Sequence, residues 1–376
     1  MPFDAVEVAR QIEAGRYEAK MQDEAREEAI ELALRIYRAV GETEWEQRVQ
    51  DAAVRRWVAV PLSPLNLNVT CFPAKANYCV VASDSSFVAP DKHRGSLSHL
   101  INVGRVMIHY GDNPAAELDN VPNHYPESVL DGDEMMSSKL LAARCALREL
   151  QELYDWARQF QADVALVDGS LMQLVNVLSK EEQVRDVMSD YFETLAGFRE
   201  IGVPVVGYIS QPASQMVMRA VRMLACDKPV PCEKKPIEPC GCQPLWSIDD
   251  TDLVWELLDE NERSPVFEPV YSHLVGDNAE GVKELVFAYM ATQYELVRLE
   301  FPLWVAEDGL LDKVIGVILH QCKLGQGYPN ALTRAHQFAV LHNADRESYY
   351  FLLERAGLLR KTTEKARGKR MIGQAI

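Results

Sequence analysis

The sequence predicts an α/β protein, in which short buried strands are followed by longer amphipathic helices. Two observations carry this. Apolar runs near residues 80, 103, 166 and 206 are short and β-branched, and turn residues such as Gly169-Ser170 close them. Long stretches with helical spacing follow the later runs. At 376 residues the chain is long enough for one to three domains and a large core.

Taken in order, residues 19–40 place Ala25, Ala29, Leu32 and Ile36 at helical spacing, and a second helix follows through Trp45 to Trp57. They make an N-terminal helical segment over residues 1–70, which reads either as a solvated hairpin or as a docking surface. Pro61, Pro64 and Pro73 break the chain before Tyr78-Cys79-Val80-Val81-Ala82, a strand that delivers Asp84 at its C-terminal end. Leu100 to Tyr110 is a strand paired with it, and residues 111–134, rich in Pro, Asn and Asp, read as a connection. Ser137 or Ser138 caps a helix running to about Phe160. Val164-Ala165-Leu166-Val167 is a second buried strand ending in Asp168, and residues 171–200 are helical. Val203 to Ser210 is a strand and Val217 to Leu224 a helix. The Cys/Pro-rich segment 226–247 reads as an inserted loop. Asp250 to Leu258 is a helix, Phe287 to Tyr294 helix or strand, and Glu295 to Glu300 a strand. The turn Gly325-Gln326-Gly327-Tyr328-Pro329 leads into a helix with Leu332, His336 and Ala339 on one face. Residues 71–355 form the main domain, and 356–376 a basic tail with Arg360, Lys361, Lys365, Arg367, Lys369 and Arg370 against Glu364.

Composition excludes several classes. Lys plus Arg is 39 and Asp plus Glu 56, a net charge of −17, which argues against a broad basic face coating nucleic acid. A metal-loaded acidic cleft that meets phosphate locally stays open. No apolar run reaches the roughly 18 residues that span a bilayer, and Met1 to Glu7 lack the features of a secretory signal, so a cytoplasmic protein is expected. There is no phosphate-binding P-loop, dinucleotide fingerprint or H-E-x-x-H. Among eight cysteines, Cys71, Cys79, Cys145 and Cys322 lie in apolar surroundings and read as core thiols. Cys226, Cys232, Cys240 and Cys242 offer four soft ligands for Zn²⁺, although their spacing departs from paired C-x₂-C.

Two strands that each present an aspartate can gather Asp84 and Asp168 on a divalent cation, and hard oxygen ligands suit Mg²⁺ or Mn²⁺. Either aspartate alone reads better as a turn cap, and only together do they make a site. On the helix after residue 137, Leu141, Cys145, Glu149, Glu152 and Trp156 share one face. A carboxylate buried there needs a cationic partner, which a metal would supply. The alternative is a surface stripe in which Arg148 pairs with Glu152. His336 reads as a core residue, as a metal ligand or as a general acid/base.

The chain resembles the NurA nuclease family. The matching residues are Val80-Val81-Ala82-Ser83-Asp84-Ser85-Ser86, Leu166-Val167-Asp168-Gly169-Ser170-Leu171 and Gly207-Tyr208-Ile209-Ser210. Further along they are Glu262-Arg263-Ser264-Pro265-Val266-Phe267, Val297-Arg298-Leu299-Glu300-Phe301-Pro302, Gly327-Tyr328-Pro329, Ala335-His336 and Asp345-Arg346. They run in the family's order over residues 75 to 350. The resemblance implies an RNase H-like core (a mixed sheet flanked by helices) and a metal-dependent, two-metal-type deoxyribonuclease using Mn²⁺ or Mg²⁺. It also implies a homodimer that works with a hexameric HerA-type translocase in DNA end resection and repair. By this match Asp84 and Asp168 take the two strand aspartates, Glu152 the helix glutamate with Glu149 as the alternative, and Tyr328 and His336 the C-terminal pair. Two cations about 3.5–4 Å apart would generate hydroxide and stabilise the leaving alkoxide. Two departures stand out: Ser85 occupies a position where the family often has Gly, and Gln211 follows Ser210 where a basic residue is common. A non-catalytic DNA-clamping or regulatory subunit of a translocase is the alternative, and a phosphoesterase for small substrates is a third reading.

Overall fold

The structure, a computed structural model, describes residues 4–51, 57–75, 77–126, 137–174, 182–229, 231–232, 234–270 and 284–359. In chain order its elements begin with α1 (Ala5–Ala39), α2 (Glu42–Asp51), β1 (Val58–Pro61), β2 (Val69–Thr70), β3 (Tyr78–Val88), β4 (His99–Tyr110) and β5 (Ala115–Tyr125). They continue with α3 (Ser138–Phe160), β6 (Val164–Asp168), α4 (Glu182–Glu200), β7 (Val205–Ser210), α5 (Met216–Leu224), α6 (Asp250–Trp255), β8 (Glu262–Arg263) and β9 (Phe267–Val270). Last come β10 (Leu285–Ala291), β11 (Leu296–Pro302), α7 (Leu303–Glu307), α8 (Leu311–Leu324), α9 (Asn330–Ala339) and α10 (Asn343–Arg355).

The chain forms two compact units, one comprising Met1–Cys71, Ile209–Ala279 and Val286–Leu299, the other Phe72–Tyr208, Glu280–Leu285 and Glu300–Ile376. In the first unit, β1 pairs antiparallel with β9, β9 with β10, and β8 with both β2 and β10. Trp45 of α2 is fully buried, donates to the Ala59 carbonyl at 2.9 Å and meets Tyr37 of α1 edge-on, which ties the helices to β1. Asp250 is also fully buried. Its two oxygens accept from the Met218 amide and the Tyr289 hydroxyl, both at 2.7 Å, so the carboxylate is satisfied. α1 starts earlier than the periodicity predicts, at Ala5, because Asp4 caps the Val6 and Glu7 amides.

The second unit is a mixed sheet flanked by helices. Its strands run β7-β6-β3-β4-β5, with β3-β4-β5 an antiparallel meander and β3-β6-β7 parallel. This is the RNase H-like arrangement. β3, β4 and β6 are predominantly buried, as continuous apolar runs require when both faces are covered. α3 begins behind Ser137, whose hydroxyl oxygen accepts from the Leu140 amide, and ends at Phe160, as the sequence predicts. Of the stretch Phe287 to Tyr294, Phe287 to Ala291 lies in β10, and Thr292 to Tyr294 form the turn that leads to β11.

One expected connection is a strand. Residues 115–125 pair with β4 from His109↔Ala115 to His99↔Tyr125. β5 is mostly exposed and ends this unit's strand order, so it has no apolar run to signal it and tolerates Pro122. Among the described residues no helix is long and apolar enough to cross a membrane. The basic run from Arg360, the end of the second helix near Trp57 and the segment 175–181 lie outside the described residues.

Candidate active site

The two aspartates are aligned by strand register. Val80 through Ser83 of β3 stand opposite Val164 through Val167 of β6, so one step further Asp84 is level with Asp168. Paired residues on parallel strands project to the same face, and the two carboxylates leave the sheet side by side. Asp168 ends its strand, as predicted. Asp84 does not: β3 continues to Val88, so the carboxylate emerges mid-strand beside the point where β6 stops.

Side-chain alternation along β3 splits its neighbours between two helices. Ser83 and Ser85 turn to α3, where Ser83 Oγ donates to the Glu149 carbonyl at 3.2 Å and Ser85 Oγ to Glu149 Oε2 at 2.9 Å. Asp84 and Ser86 turn to α9. His336 Nδ1 lies 2.7 Å from Asp84 Oδ2, and the Ser86 hydroxyl donates to the Ala339 carbonyl. α9 lies this close because Gly104, the β4 partner of Asp84, has no side chain. A Cβ there would stand 2.3 Å from the Ala335 carbonyl oxygen and 2.5 Å from the Ala339 nitrogen. Buried Asn102 donates to the Phe338 and Ala339 carbonyls at 3.1 and 2.9 Å, and buried Gln321 accepts from the Ala331 amide at 3.0 Å, so both helix ends are anchored.

Tyr328 comes from the turn before α9. Its hydroxyl donates to Asp168 Oδ1 at 2.6 Å, and its ring meets buried Tyr208 edge-on at 5.1 Å. That turn needs Gly325, where a Cβ would fall 1.9 Å from the Tyr328 carbonyl oxygen. Beyond Asp168, buried Glu300 fixes the next turn by accepting from Ser170 Oγ at 2.6 Å and the Met172 amide at 3.1 Å. Glu300 is a positioning residue that sequence reasoning passed over. Its signal was an acid within the otherwise apolar end of β11.

α3 buries all five residues of its predicted stripe, and its two acids part company. Glu152, the expected ligand, lies between two arginines: Arg105 Nη1 is 2.7 Å from Oε2, and Arg148 binds Oε1. Arg105 also grips Asp119 and stacks over Trp156. The cation that this buried carboxylate requires is therefore supplied by the protein. Glu149, bonded to Ser85, is near enough for the charges of Asp84 and Asp168 to act on it. It is 6% exposed, and its Oε1 is buried without a hydrogen-bond partner. Burial drives its carboxyl well above the ordinary range, and the nearby charges of Asp84 and Asp168 push it further. Asp84 is also raised, chiefly by burial, while the His336 contact and the Ser85 amide pull against this.

Three carboxyl groups thus share a neighbourhood in which they repel one another, and each is held by a donor of its own: His336, Ser85 or Tyr328. His336 is the expected helix-face residue, but it is exposed while Leu332 and Ala339 are buried, and it reaches Asp84 from outside the core. The unpartnered Glu149 oxygen and the unrelieved repulsion fit a hard divalent cation, which would supply both a partner and the missing charge. Separately, in the first unit, Cys226, Cys232, Cys240 and Cys242 bring four sulfurs within 4.8 Å of one another. Cys71, Cys79, Cys145 and Cys322 are buried core thiols.

Comparison with known proteins adds the family. Among solved structures the chain is similar to endonuclease V from Bacillus subtilis, at 12% identity and a TM-score of 0.35, over 75% of this chain and 87% of that one. It is also similar to human endonuclease V, at 13% identity and a TM-score of 0.29, over 76% and 95%. A third similarity is to RuvC from Thermus thermophilus, at 14% identity and a TM-score of 0.16, over 34% and 62%. A search of curated proteins returned no match. The model of the NurA domain matches residues 79–341, a span that holds both strand aspartates, Glu149, Tyr328 and His336. The chain belongs to the NurA domain family, the nuclease family that its motifs resemble.

Proposed function

We propose that this protein is a divalent-metal-dependent deoxyribonuclease that hydrolyses phosphodiester bonds at DNA ends. The observation that carries the reading is the level register of Asp84 and Asp168 at the end of β6, with His336 and Tyr328 bonded to them and Glu149 near enough to feel both charges. Asp84 and Asp168 would hold Mn²⁺ or Mg²⁺, with Glu149, in place of Glu152, as the third carboxylate. A bound cation pair supplies an activated water and charge neutralisation at the leaving oxygen. The protein's own groups do the rest. Tyr328 fixes the orientation of Asp168. His336, bonded to Asp84 through Nδ1, has Nε2 left to take or pass a proton. The acidic surface leaves DNA binding to local contacts or to a partner.

Family membership supports the finer assignments: exonuclease action with endonuclease capacity, a homodimer, a HerA-type hexameric translocase as partner, and a cytoplasmic role in end resection and repair. We assign the nuclease domain to residues 71–355 and the partner-facing segment to the N-terminal helices over 1–70. Digestion of end-labelled duplex and single-stranded DNA with and without Mn²⁺ tests the reading. Cleavage that needs the ion and is abolished by Asp84→Ala or Asp168→Ala, with folding kept, is the expected result. DNA binding without cleavage would instead make the protein a non-catalytic clamp, and hydrolysis confined to nucleotides would make it a small-substrate phosphoesterase.

A further inference from the structure

A second group of ligating atoms lies in the first unit, in the segment inserted after α5. Its sequence from Cys226 to Gln243 is almost devoid of core-forming side chains: lysines, glutamates and prolines dominate, and Ile237 is fully exposed. Hydrophobic burial cannot hold such a segment in one conformation. Its described residues nevertheless fold around the four cysteines. Cys240 Sγ stands 3.5 Å from Cys242 Sγ and 3.6 Å from Cys226 Sγ, and Cys226 Sγ is 3.8 Å from Cys232 Sγ. Cys226, Cys240 and Cys242 are buried, and Cys232 is half-buried.

We propose that Cys226, Cys232, Cys240 and Cys242 bind one structural Zn²⁺ as a closed tetrathiolate site. A regular tetrahedron with zinc–sulfur bonds of about 2.3 Å has edges of about 3.8 Å; three of the six sulfur separations, at 3.5, 3.6 and 3.8 Å, match that edge, and all lie within 4.8 Å. They are far from the roughly 2.05 Å of a disulfide. The local chain is shaped for thiolates. The Gln243 amide donates to the Cys240 carbonyl at 2.8 Å and the Leu245 amide to the Cys242 carbonyl at 3.2 Å, which curls the Cys-Gly-Cys run around a point. The Gly241 amide donates to Asp227 Oδ2 at 2.7 Å and closes the loop on itself.

Coordination balances as one Zn²⁺ and four thiols giving a doubly negative tetrathiolate and four protons. Cations stand near to meet that charge. Lys228, Lys234 and Lys235 belong to the segment, and Arg48 of α2 donates to the carbonyls of Met223, Cys226, Lys228 and Pro229. The ion would therefore fix the insertion and, through Arg48, fasten it to the N-terminal helix pair. With all four positions filled by sulfur no site is left for water, so the role is structural.

Metal analysis of the untagged full-length protein tests this. One zinc per chain is expected to survive prolonged dialysis, and protein produced in Co²⁺ medium is expected to show the intense visible bands of tetrahedral cobalt thiolate. The Cys240→Ser/Cys242→Ser variant should lose at least ten-fold of the bound zinc, whereas Asp84→Ala should keep it, which separates this ion from the acidic site. Wild-type protein with less than about a tenth of an equivalent of zinc and no cobalt bands would overturn the proposal. So would a mass spectrum showing a disulfide among these cysteines, or full zinc content in the double variant. If the double variant fails to fold, the wild-type zinc content and cobalt spectrum decide alone.

Discussion

Glu149→Gln separates catalysis from stability, because it should move the two in opposite directions. The substitution keeps the side-chain volume and an oxygen that can accept from Ser85, and it places an amide where Oε1 now has no partner. It removes a carboxyl whose proton is held well above the usual range by burial and by Asp84 and Asp168. For an acid raised in this way the folded state keeps its proton longer than the unfolded chain. Its contribution to stability is full below the unfolded value near 4.5 and is lost as pH climbs toward the folded value. The loss is about 1.4 kcal/mol for each unit of elevation. Ion-free Glu149→Gln should therefore be more stable than wild type at pH 7, with a flatter pH dependence above pH 4.5. Saturating Mn²⁺, at about 100 times its Kd, should stabilise wild type by about 2.7 kcal/mol and the variant by much less. DNA cleavage should fall by more than about 100-fold, since loss of supporting residues alone costs 10–100-fold. Denaturant melts at pH 5 and pH 8 with and without Mn²⁺, and digestion of end-labelled DNA, measure both. An active variant, or one less stable than wild type without ions, would refute the assignment of Glu149 to the site.

Glu152→Gln should show the reverse pattern: it breaks the bridges to Arg105 and Arg148 and leaves two guanidiniums short of a partner, for a loss of about 1–3 kcal/mol, while cleavage stays within about 10-fold. Gly104→Ala must push α9 away by about 1 Å to relieve the contact with the Ala335 carbonyl, at a cost of about 1–3 kcal/mol in stability. The same shift carries His336 off Asp84 and should lower turnover by about 100-fold, measured on DNA with the variant confirmed folded. Tyr328→Phe removes the hydrogen bond to Asp168 and should reduce cleavage roughly ten-fold with little change in melting temperature. Mn²⁺ affinity, followed by calorimetry, should weaken as pH falls, because the cation competes with protons that Asp84 and Glu149 hold above the ordinary carboxylate range. Asp84→Asn should flatten that dependence.

Local signals carried the reading a long way. Strand β6, the Ser137 cap, the span of α3 to Phe160 and the five-residue stripe all follow from propensity, capping and periodicity, which act within a few residues. The candidate aspartates were legible for the same reason, each attached to an apolar run. β5 was not, because an exposed edge strand makes its bonds to β4 without burying an apolar face.

What the chain alone could not decide is which of two acids, less than one helical turn apart, feels the charges of the aspartates and which meets the arginines. Both are buried, and periodicity puts both on one face. The choice rests on how α3 lies across the sheet. Ser83 and Ser85 draw Glu149 toward β3, while Arg105 reaches from β4 to occupy Glu152. Gly104 likewise carries no local signal of its importance, since its role exists only once α9 is laid on the strand. Side chains distant in sequence set these outcomes, and a carboxylate's character depends on whether it meets an arginine or another carboxylate. Only the folded chain brings those neighbours to it.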